Sequence, residues 1–203
     1  MKSLIEERRS ITFFDDSKSL DDETIRELLR LSATAPSGYN LQPWKVIVVK
    51  DLEVKKELMK ICYMQEKVYK ACINVIVLAD TIGGIENAKA VFDSFVELGY
   101  FSNEQAQNII KSIKNSWSDP KVAYKKALRD ASLFAMNLML SARALGLETH
   151  PMEGFDEKAL RERFGIEERF VPVMIVAVGY KDPSKELLPR AMRFKPEEFA
   201  TFI

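Results

Sequence analysis

Two arginines and a serine near the start of the chain are the first residues whose types and spacing could do chemistry. Arg8, Arg9 and Ser10 are consecutive, are expected to precede a helix, and have a counterpart in Arg193 near the other end. A guanidinium group is a planar fork that pairs with phosphate oxygens, and a serine hydroxyl adds a donor. Most triplets of this kind are solvated, so alone this one favours an ordinary surface role over a phosphate site.

A second candidate is the loop 35–44, which contains two prolines and directly precedes an apolar run. Ser37, Gly38, Asn40 and Gln42 give this rigid loop several hydrogen-bonding groups. A flat heterocycle with carbonyls and ring nitrogens needs such complementary donors and acceptors. A structural turn whose amides satisfy its own backbone is an equally good interpretation.

The third candidate is the segment 151–156, read as a loop between a strand end and a helix start. Backbone N–H groups at such a junction can point at a ligand, and Gly154 permits close approach. Glu153 could be a general acid, although no partner for it is evident. The pattern somewhat favours the alternative, a capped turn.

Several kinds of site are excluded by what the sequence lacks. It has no nucleophile elbow, no Walker loop and no G-x-G-x-x-G, and triad chemistry would rest on the single histidine, His150. Cys62 and Cys72 are not spaced as zinc ligands and are expected to be buried thiols in a reducing compartment. Thirty basic residues balance thirty acidic ones, which argues against a nucleic-acid partner.

Nothing in the sequence indicates export or insertion into a membrane. Glu6 to Arg9 interrupt any apolar stretch near the N-terminus, and the longest apolar run, 171–178, is too short to span a bilayer. We therefore expect a soluble, cytoplasmic protein without a membrane partner.

Periodicity and capping signals predict the elements that position these segments. Helices are predicted from the Asp21 cap to about Ser32, at 52–62, at 120–145 before Gly146, and from the Asp156 cap to Phe164 before Gly165; strands are predicted at 44–49, 73–79, 147–150 and 170–179. Residues 81–118 give only moderate helix signals, and the tail 185–203 does not read as an independent folding unit. These elements predict an α/β or α+β sandwich with helices on both faces of a few central strands.

Taken in order, the candidate segments resemble the nitroreductase family of flavoproteins. The matching features are Arg8-Arg9-Ser10 followed by Phe14-Asp15; Ala35-Pro36-Ser37 with Asn40 and Gln42-Pro43-Trp44; Ala142 to Leu147 leading to Met152-Glu153-Gly154-Phe155-Asp156; and Arg193 before Pro196-Glu197-Glu198. They extend over almost the whole chain. The resemblance implies one α+β domain, 1–203, a three-layer α/β/α sandwich with a mostly antiparallel sheet. It also implies an intertwined homodimer, with a variable excursion at about 81–118 and a tail at about 185–203 that embraces the partner.

The resemblance further implies two FMN molecules at the dimer interface. By motif match, Arg8, Arg9, Ser10 and Arg193 would hold the phosphate and ribityl chain; Pro36, Ser37, Gly38 and Asn40 would approach the flavin, partly from the partner; Met152, Glu153 and Gly154 would lie against its ring system; and Gln65 would offer an amide. Phe92, Phe95, Tyr100, Phe101 and Trp117 are candidates for an aromatic lid over the acceptor, although about half of these rings are expected to be core. No catalytic side chain and no metal are expected, because the flavin carries the hydride chemistry.

The implied reaction is hydride transfer from NAD(P)H through FMN to a nitroaromatic compound, a quinone or a similar small acceptor, in ping-pong order. The alternatives are a specialised flavoenzyme of the same fold (a reductive dehalogenase or a flavin-fragmenting enzyme), a non-catalytic flavin-binding protein, and a structural protein without a cofactor. One departure matters: Thr12 stands where the family often has arginine or lysine. The missing cation predicts weak phosphate anchoring and loss of FMN during dialysis.

Overall fold

The fold is built on one antiparallel sheet, seen in a computed structural model that describes residues 2–203. Its strands are β1 (Trp44–Val49), β2 (Ile73–Asp80), β3 (Glu148–Met152) and β4 (Phe170–Gly179), in the order β1-β2-β4-β3. Every neighbouring pair is antiparallel. The predicted strands 44–49 and 170–179 are confirmed at their predicted bounds.

The helices follow from local signals in the sequence. They are α1 (Lys2–Glu7), α2 (Asp22–Ser32), α3 (Leu52–Ile61), α4 (Glu66–Lys70), α5 (Gly83–Glu97), α6 (Asn103–Trp117), α7 (Pro120–Ala144), α8 (Glu157–Phe164) and α9 (Pro196–Phe199), with a 3-10 turn at Gly38–Asn40. Asp21 and Asp156 accept hydrogen bonds from Thr24 N and Ala159 N and so cap α2 and α8, as predicted. The predicted helix ends before Gly146 and Gly165 are confirmed, and both glycines have the left-handed backbone, with φ of 73° and 60°.

Helices cover both faces of the sheet because its side chains alternate. On β2, Val75 and Val77 belong to a core shared with α2, α5, α6 and α7. Ile76 and Leu78 belong to a second core shared with α3, α4 and α8. The structure therefore has three layers, α/β/α, as the resemblance implied.

Three local predictions were wrong or incomplete. A helix, α1, precedes Arg8 rather than following Ser10. Strand β3 continues through Pro151 to Met152, where a loop was predicted; Pro151 is tolerated because this strand pairs with β4 alone along that stretch. Residues 81–118 form two regular helices of 15 residues each, α5 and α6, joined through Gly99.

The N-terminal segment after α1 lies along the free side of β3. Ser10 pairs in parallel with Thr149, and Ile11 N donates to Thr149 O at 2.9 Å. The segment continues to Phe14, which pairs with Lys181 beyond β4. Ser10 is thus fixed at the edge of the sheet by backbone pairing, and Arg8 and Arg9 directly precede it.

No helix within residues 2–203 is both long enough and apolar enough to cross a membrane. In the same part of the chain, both cysteines are free and buried, as expected, and burial raises the pKa of the Cys62 thiol to about 12. No group of three or more histidine, cysteine or acidic side chains there could hold a metal ion.

His150 of β3 contacts the N-terminal segment, and burial of its ring makes the stability of the fold depend on pH. Its Nδ1 lies 3.0 Å from Ile11 O, and the ring is half-buried. The pKa of His150 is below its ordinary value of 6.5, first because burial disfavours the charged ring and then because Lys67 is close, although the Ile11 carbonyl opposes the shift. The folded chain therefore binds fewer protons than the unfolded chain. This contribution to stability is complete above the unfolded pKa and is lost as pH falls below it.

We expect the urea midpoint of unfolding to fall as pH drops from about 7 to about 5.5, in the range where an unfolded histidine takes up its proton. His150→Gln, which cannot titrate, should show a smaller fall over the same range. Equal falls in the two proteins would show that His150 does not contribute to the pH dependence.

Candidate functional site

A cavity of about 230 Å³ gathers the predicted phosphate ligands. It is lined by Arg8, Arg9, Ser10, Pro189, Arg190, Ala191 and Arg193. Residues 8–10 and residues 189–193 are separated by almost the whole chain. They meet because pairing with β3 holds the first segment at the edge of the sheet. The cavity therefore brings together all four residues that the sequence nominated for an anion.

Hydrogen bonds hold the tail against the N-terminal segment at this cavity. Arg9 Nη2 donates to Leu188 O at 2.6 Å, and Arg190 Nη1 donates to Arg8 O at 3.3 Å. The pKa of Arg8 is lowered, mainly by burial and then by the charges of Arg190 and Arg193, while Glu148 opposes the shift. The cavity is a concentration of positive charge that a multiply charged anion would relieve.

Arg190 is the cavity residue that sequence reasoning missed. It lies three positions before Arg193 in a proline-containing tail, and that spacing was its only signal. The structure shows it as a fourth guanidinium group, whereas Thr12, at the position of the missing family cation, is exposed.

The other end of β3 brings Gln65 to Gly154. Gln65 Nε2 donates to Gly154 O at 3.0 Å, although the two residues are 89 positions apart. Gly154 and Glu153 are exposed, whereas Met152 is 5% exposed and its side chain lies in the core below the sheet. This turn can therefore offer a ligand mainly its backbone N–H and C=O groups.

The turn that carries Gln65 has an unusual backbone. Tyr63 and Met64 have φ of 54° and 60°, values that side chains rarely adopt. Asp156 N donates to Ile61 O at 2.9 Å, which links this turn to the 153–156 turn. Each left-handed residue costs on the order of 1 kcal/mol, so the neighbouring structure must hold the turn in place.

The loop 36–42 also contains non-glycine residues with a left-handed backbone, and several hydrogen bonds hold it in place. Tyr39, Asn40 and Gln42 have φ of 53°, 56° and 49°. Ser37 Oγ accepts a hydrogen bond from Gln42 N at 3.0 Å. Ser37 and Gln42 therefore stabilise the loop, as expected for a structural turn that satisfies its own backbone. The Asn40 side chain is exposed and makes no hydrogen bond within residues 2–203, which leaves its amide available.

Four of the five candidate lid aromatics form one cluster. The ring centroids of Phe92 lie 5.5 Å from Phe95 and 5.6 Å from Phe101, and Tyr100 lies 5.5 Å from Phe95. Phe92 is fully buried, while 69% of Tyr100 is exposed. The cluster therefore runs from the core to the surface, with Phe92 as a core residue.

Tyr39 joins this cluster to the loop and was missed from the sequence. Its ring centroid lies 6.0 Å from that of Phe92, and its side chain is 58% exposed. Its left-handed backbone could not be foreseen, because tyrosine is not a residue that favours this conformation.

Trp117 stands apart from the other four rings. It is 4% exposed and packs so closely on α5 that a Cβ at Gly84 would lie 2.2 Å from its indole. It also lines a cavity of about 290 Å³ below Gly38 and Tyr39. Trp117 thus joins α5 to α6 in the core and faces the loop from beneath.

Comparison with known proteins agrees with this arrangement. Residues 5–180 match the model described as Nitroreductase family. YodC of Bacillus subtilis (strain 168), provisionally named an NAD(P)H nitroreductase, is 32% identical over 176 residues, 87% of each chain.

Solved structures show the same fold over the full length. A nitroreductase-like protein from Streptococcus mutans has a TM-score of 0.89 at 26% identity, covering 100% of this chain and 97% of that one. A provisionally named nitroreductase in complex with FMN from Exiguobacterium sibiricum 255-15 also has a TM-score of 0.89 at 26% identity, covering 99% and 96%. With the family model spanning most of the sequence and both cores of the sandwich in place, the chain belongs to the nitroreductase family.

Proposed function

We propose that this chain is an NAD(P)H-dependent oxidoreductase that binds FMN and reduces a small conjugated acceptor such as a nitroaromatic compound or a quinone. The proposal is carried by the edge of β3, which has a four-arginine cavity at one end and the Gln65–Gly154 contact at the other. The provisional name of YodC and the FMN complex of the Exiguobacterium protein support it.

The chemistry of this edge fits FMN. Thr149 pairs with Ser10, and Gly154 follows five residues later, so the two ends are separated by roughly 16 Å of extended chain. An elongated ligand with a phosphate at one end and a flat ring at the other suits such a span. The buried Nε of Arg143, whose other guanidinium nitrogens pair with Glu148 of β3 and Glu7 of α1, lacks a hydrogen-bond partner within residues 2–203.

Different residues would bind the phosphate and the ring system of the cofactor. Arg8, Arg9, Arg190 and Arg193 would hold its phosphate, with Ser10 as an added donor. Gly154 would let the backbone approach the ring, and Gln65 would fix that turn through its hydrogen bond to Gly154 O. Bound FMN would supply the hydride chemistry, so that donor and acceptor use one cleft in turn, the ping-pong order.

The loop 36–42 would complete the cleft from a second copy of the chain. Within residues 2–203, no hydrogen bond links Pro36, Ser37, Gly38 or Asn40 to the β3 edge, which favours contact with a partner's cofactor. Exposed Asn40 offers an amide, and the exposed parts of Tyr39 and Tyr100 offer aromatic surface to a flat acceptor. Residues 81–118 would then act as a lid through the ring cluster, with Trp117 supporting the loop from below.

Exposed apolar side chains also favour a homodimer. On α7, Leu133 and Met136 are 41% and 39% exposed, and Tyr124 lies on the same helix. In the tail, Phe194, Phe199 and Phe202 are 66%, 73% and 85% exposed. Apolar side chains exposed together in this way mark surfaces that a partner covers, and a second copy is the simplest partner.

The reductase activity is tested by the visible absorbance of the purified protein under anaerobic conditions. We expect a flavin spectrum that bleaches when NADH or NADPH is added and recovers when a quinone is added. A flavin spectrum that neither donor bleaches would leave a non-catalytic flavin-binding protein. A colourless protein that gains no thermal stability from added FMN would eliminate the cofactor as well.

Arg190 changes the expectation that Thr12 weakens phosphate anchoring. Because Arg190 supplies a fourth guanidinium group, we expect the wild-type chain to keep FMN through dialysis and Arg190→Ala to lose it. Losing one charge-assisted contact should raise the Kd for FMN about tenfold or more. Arg190→Lys should fall between the two proteins.

Arg163→Ala is the matched control, since Arg163 is an exposed arginine paired with Glu57 on α3. It should leave the Kd for FMN unchanged. Loss of FMN from the wild-type chain on dialysis would instead support the effect of Thr12.

The dimer is tested by replacing the exposed tail aromatics Phe199 and Phe202 with aspartate. We expect the wild-type chain to sediment as a dimer and the doubly substituted chain to sediment with a larger monomer fraction and bind FMN more weakly. Thr201→Asp, in the same stretch of tail, adds charge without removing apolar surface and should have a smaller effect. A monomeric wild-type chain that binds FMN fully would contradict the shared site.

A further inference from the structure

We infer that Asp130 of α7 is a positioning residue for the loop 36–42, which it holds in the conformation that meets the cofactor. This inference rests on the proposed FMN function. Asp130 lies outside the motifs that identify the family, and it is 92 residues from Gly38, the loop glycine that it contacts.

Asp130 is a buried carboxylate whose hydrogen bonds lead directly to the loop. It is 1% exposed, although aspartate is rarely buried without partners. Its Oδ2 accepts from Gly38 N at 3.1 Å, and its Oδ1 accepts from Arg129 Nε at 2.7 Å. Each carboxylate oxygen therefore has its own donor, and one of these donors is the loop backbone.

The loop needs such an anchor because its backbone is strained. Tyr39, Asn40 and Gln42 all have positive φ within four residues. A conformation of this kind persists only where the surroundings over-determine it. Asn87 Nδ2 holds the far end of the loop through Leu41 O at 2.8 Å, and Asp130 holds the near end at Gly38.

The near end of the loop borders a cavity and touches α7 at the Arg129–Asp130 pair. Gly38 and Tyr39 line a cavity of about 290 Å³ together with Lys126, Arg129 and Asp130. A Cβ at Gly38 would lie 3.0 Å from Arg129 Nη2, so the glycine is fitted closely against the Arg129–Asp130 pair. The hydrogen bond from Gly38 N to Asp130 is thus the direct polar link between α7 and this end of the loop, at the margin of the cavity.

Asn40 depends on this tie. It lies within the strained turn, two residues after Gly38, so relaxation of the turn would move the side-chain amide that we propose to meet the cofactor. Removing the carboxylate should therefore weaken FMN binding, although Asp130 itself does not touch the ligand.

The inference is tested with Asp130→Ala, Asp130→Asn and the control Asn137→Ala. Asn137 lies seven residues further along α7 and holds a different segment, donating to Leu31 O at 2.9 Å and Ser32 O at 3.0 Å. Both alanine variants lose a hydrogen-bonded link between α7 and another segment, the loop for Asp130 and the end of α2 for Asn137, and should be less stable. Only Asp130→Ala should also raise the Kd for FMN, by roughly tenfold.

Hydrogen exchange of the cofactor-free protein gives a readout that does not depend on activity. In the wild-type chain, the Gly38 amide should exchange slowly, and Asp130→Ala should speed exchange at Gly38 and Leu41. Asp130→Asn keeps an acceptor oxygen and should restore part of both the protection and the FMN affinity. Asn137→Ala should leave both near the wild-type values.

The outcomes separate this inference from the proposed function. If the wild-type chain binds FMN but Asp130→Ala binds it equally well, or Asn137→Ala weakens it as much, Asp130 has only a structural role. A rapidly exchanging Gly38 amide in the wild-type chain would also overturn the inference, even if Asp130→Ala failed to fold. A wild-type chain that binds no FMN would overturn the proposed function and this inference together.

Discussion

The close packing of α7 on the sheet is the constraint on which the rest of the structure depends. The helix packs on β2 and β4 and contributes small buried side chains to the core that they share, namely Ala123, Ala127, Ala131, Ala135 and Ala142, each at most 3% exposed. Because alanine occupies little space, the helix backbone comes near the strands, and polar groups on its flanks reach the segments beside it. Larger side chains at these positions would push the helix away, at a cost of about 1–3 kcal/mol each.

Three polar residues of α7 use this closeness to fix three separate segments. Asp130 binds the loop at Gly38, Asn137 binds the end of α2, and Arg143 pairs with Glu148 of β3 and with Glu7 of α1. Arg143 therefore sets the start of the strand along which the arginine cavity forms. The two parts of the proposed cleft, the loop and the β3 edge, are thus positioned by one rigid helix, as precise binding sites require.

Sequence reasoning recovers what local interactions determine and misses what distant ones do. The caps at Asp21 and Asp156 and the glycines 146 and 165 were found because their signals lie within a few residues. Helix α6 also had such a signal, the Ser102 and Gln105 capping box, which was overlooked among the aromatics of 81–118. Asp130 had none, and Arg190 had only its spacing from Arg193, since their partners lie 92 and 182 positions away in the chain. The order of motifs identified the family and led to the proposed site, whereas only the fold could show what holds its segments in place.

The strained backbone of this chain is concentrated in two segments, the loop 36–42 and the turn that carries Gln65, both of which we assign to the proposed cleft. In residues 2–203, the non-glycine residues with positive φ are Tyr39, Asn40, Gln42, Tyr63 and Met64, and all lie in the loop or in the turn that carries Gln65. Glycine would relieve this strain at every one of these positions. Glycine would also remove the exposed rings of Tyr39 and Tyr63 and the free amide of Asn40, which are side chains that a flat ligand can use. Retaining them in a costly conformation indicates that function, rather than stability, determines the residue at these turns.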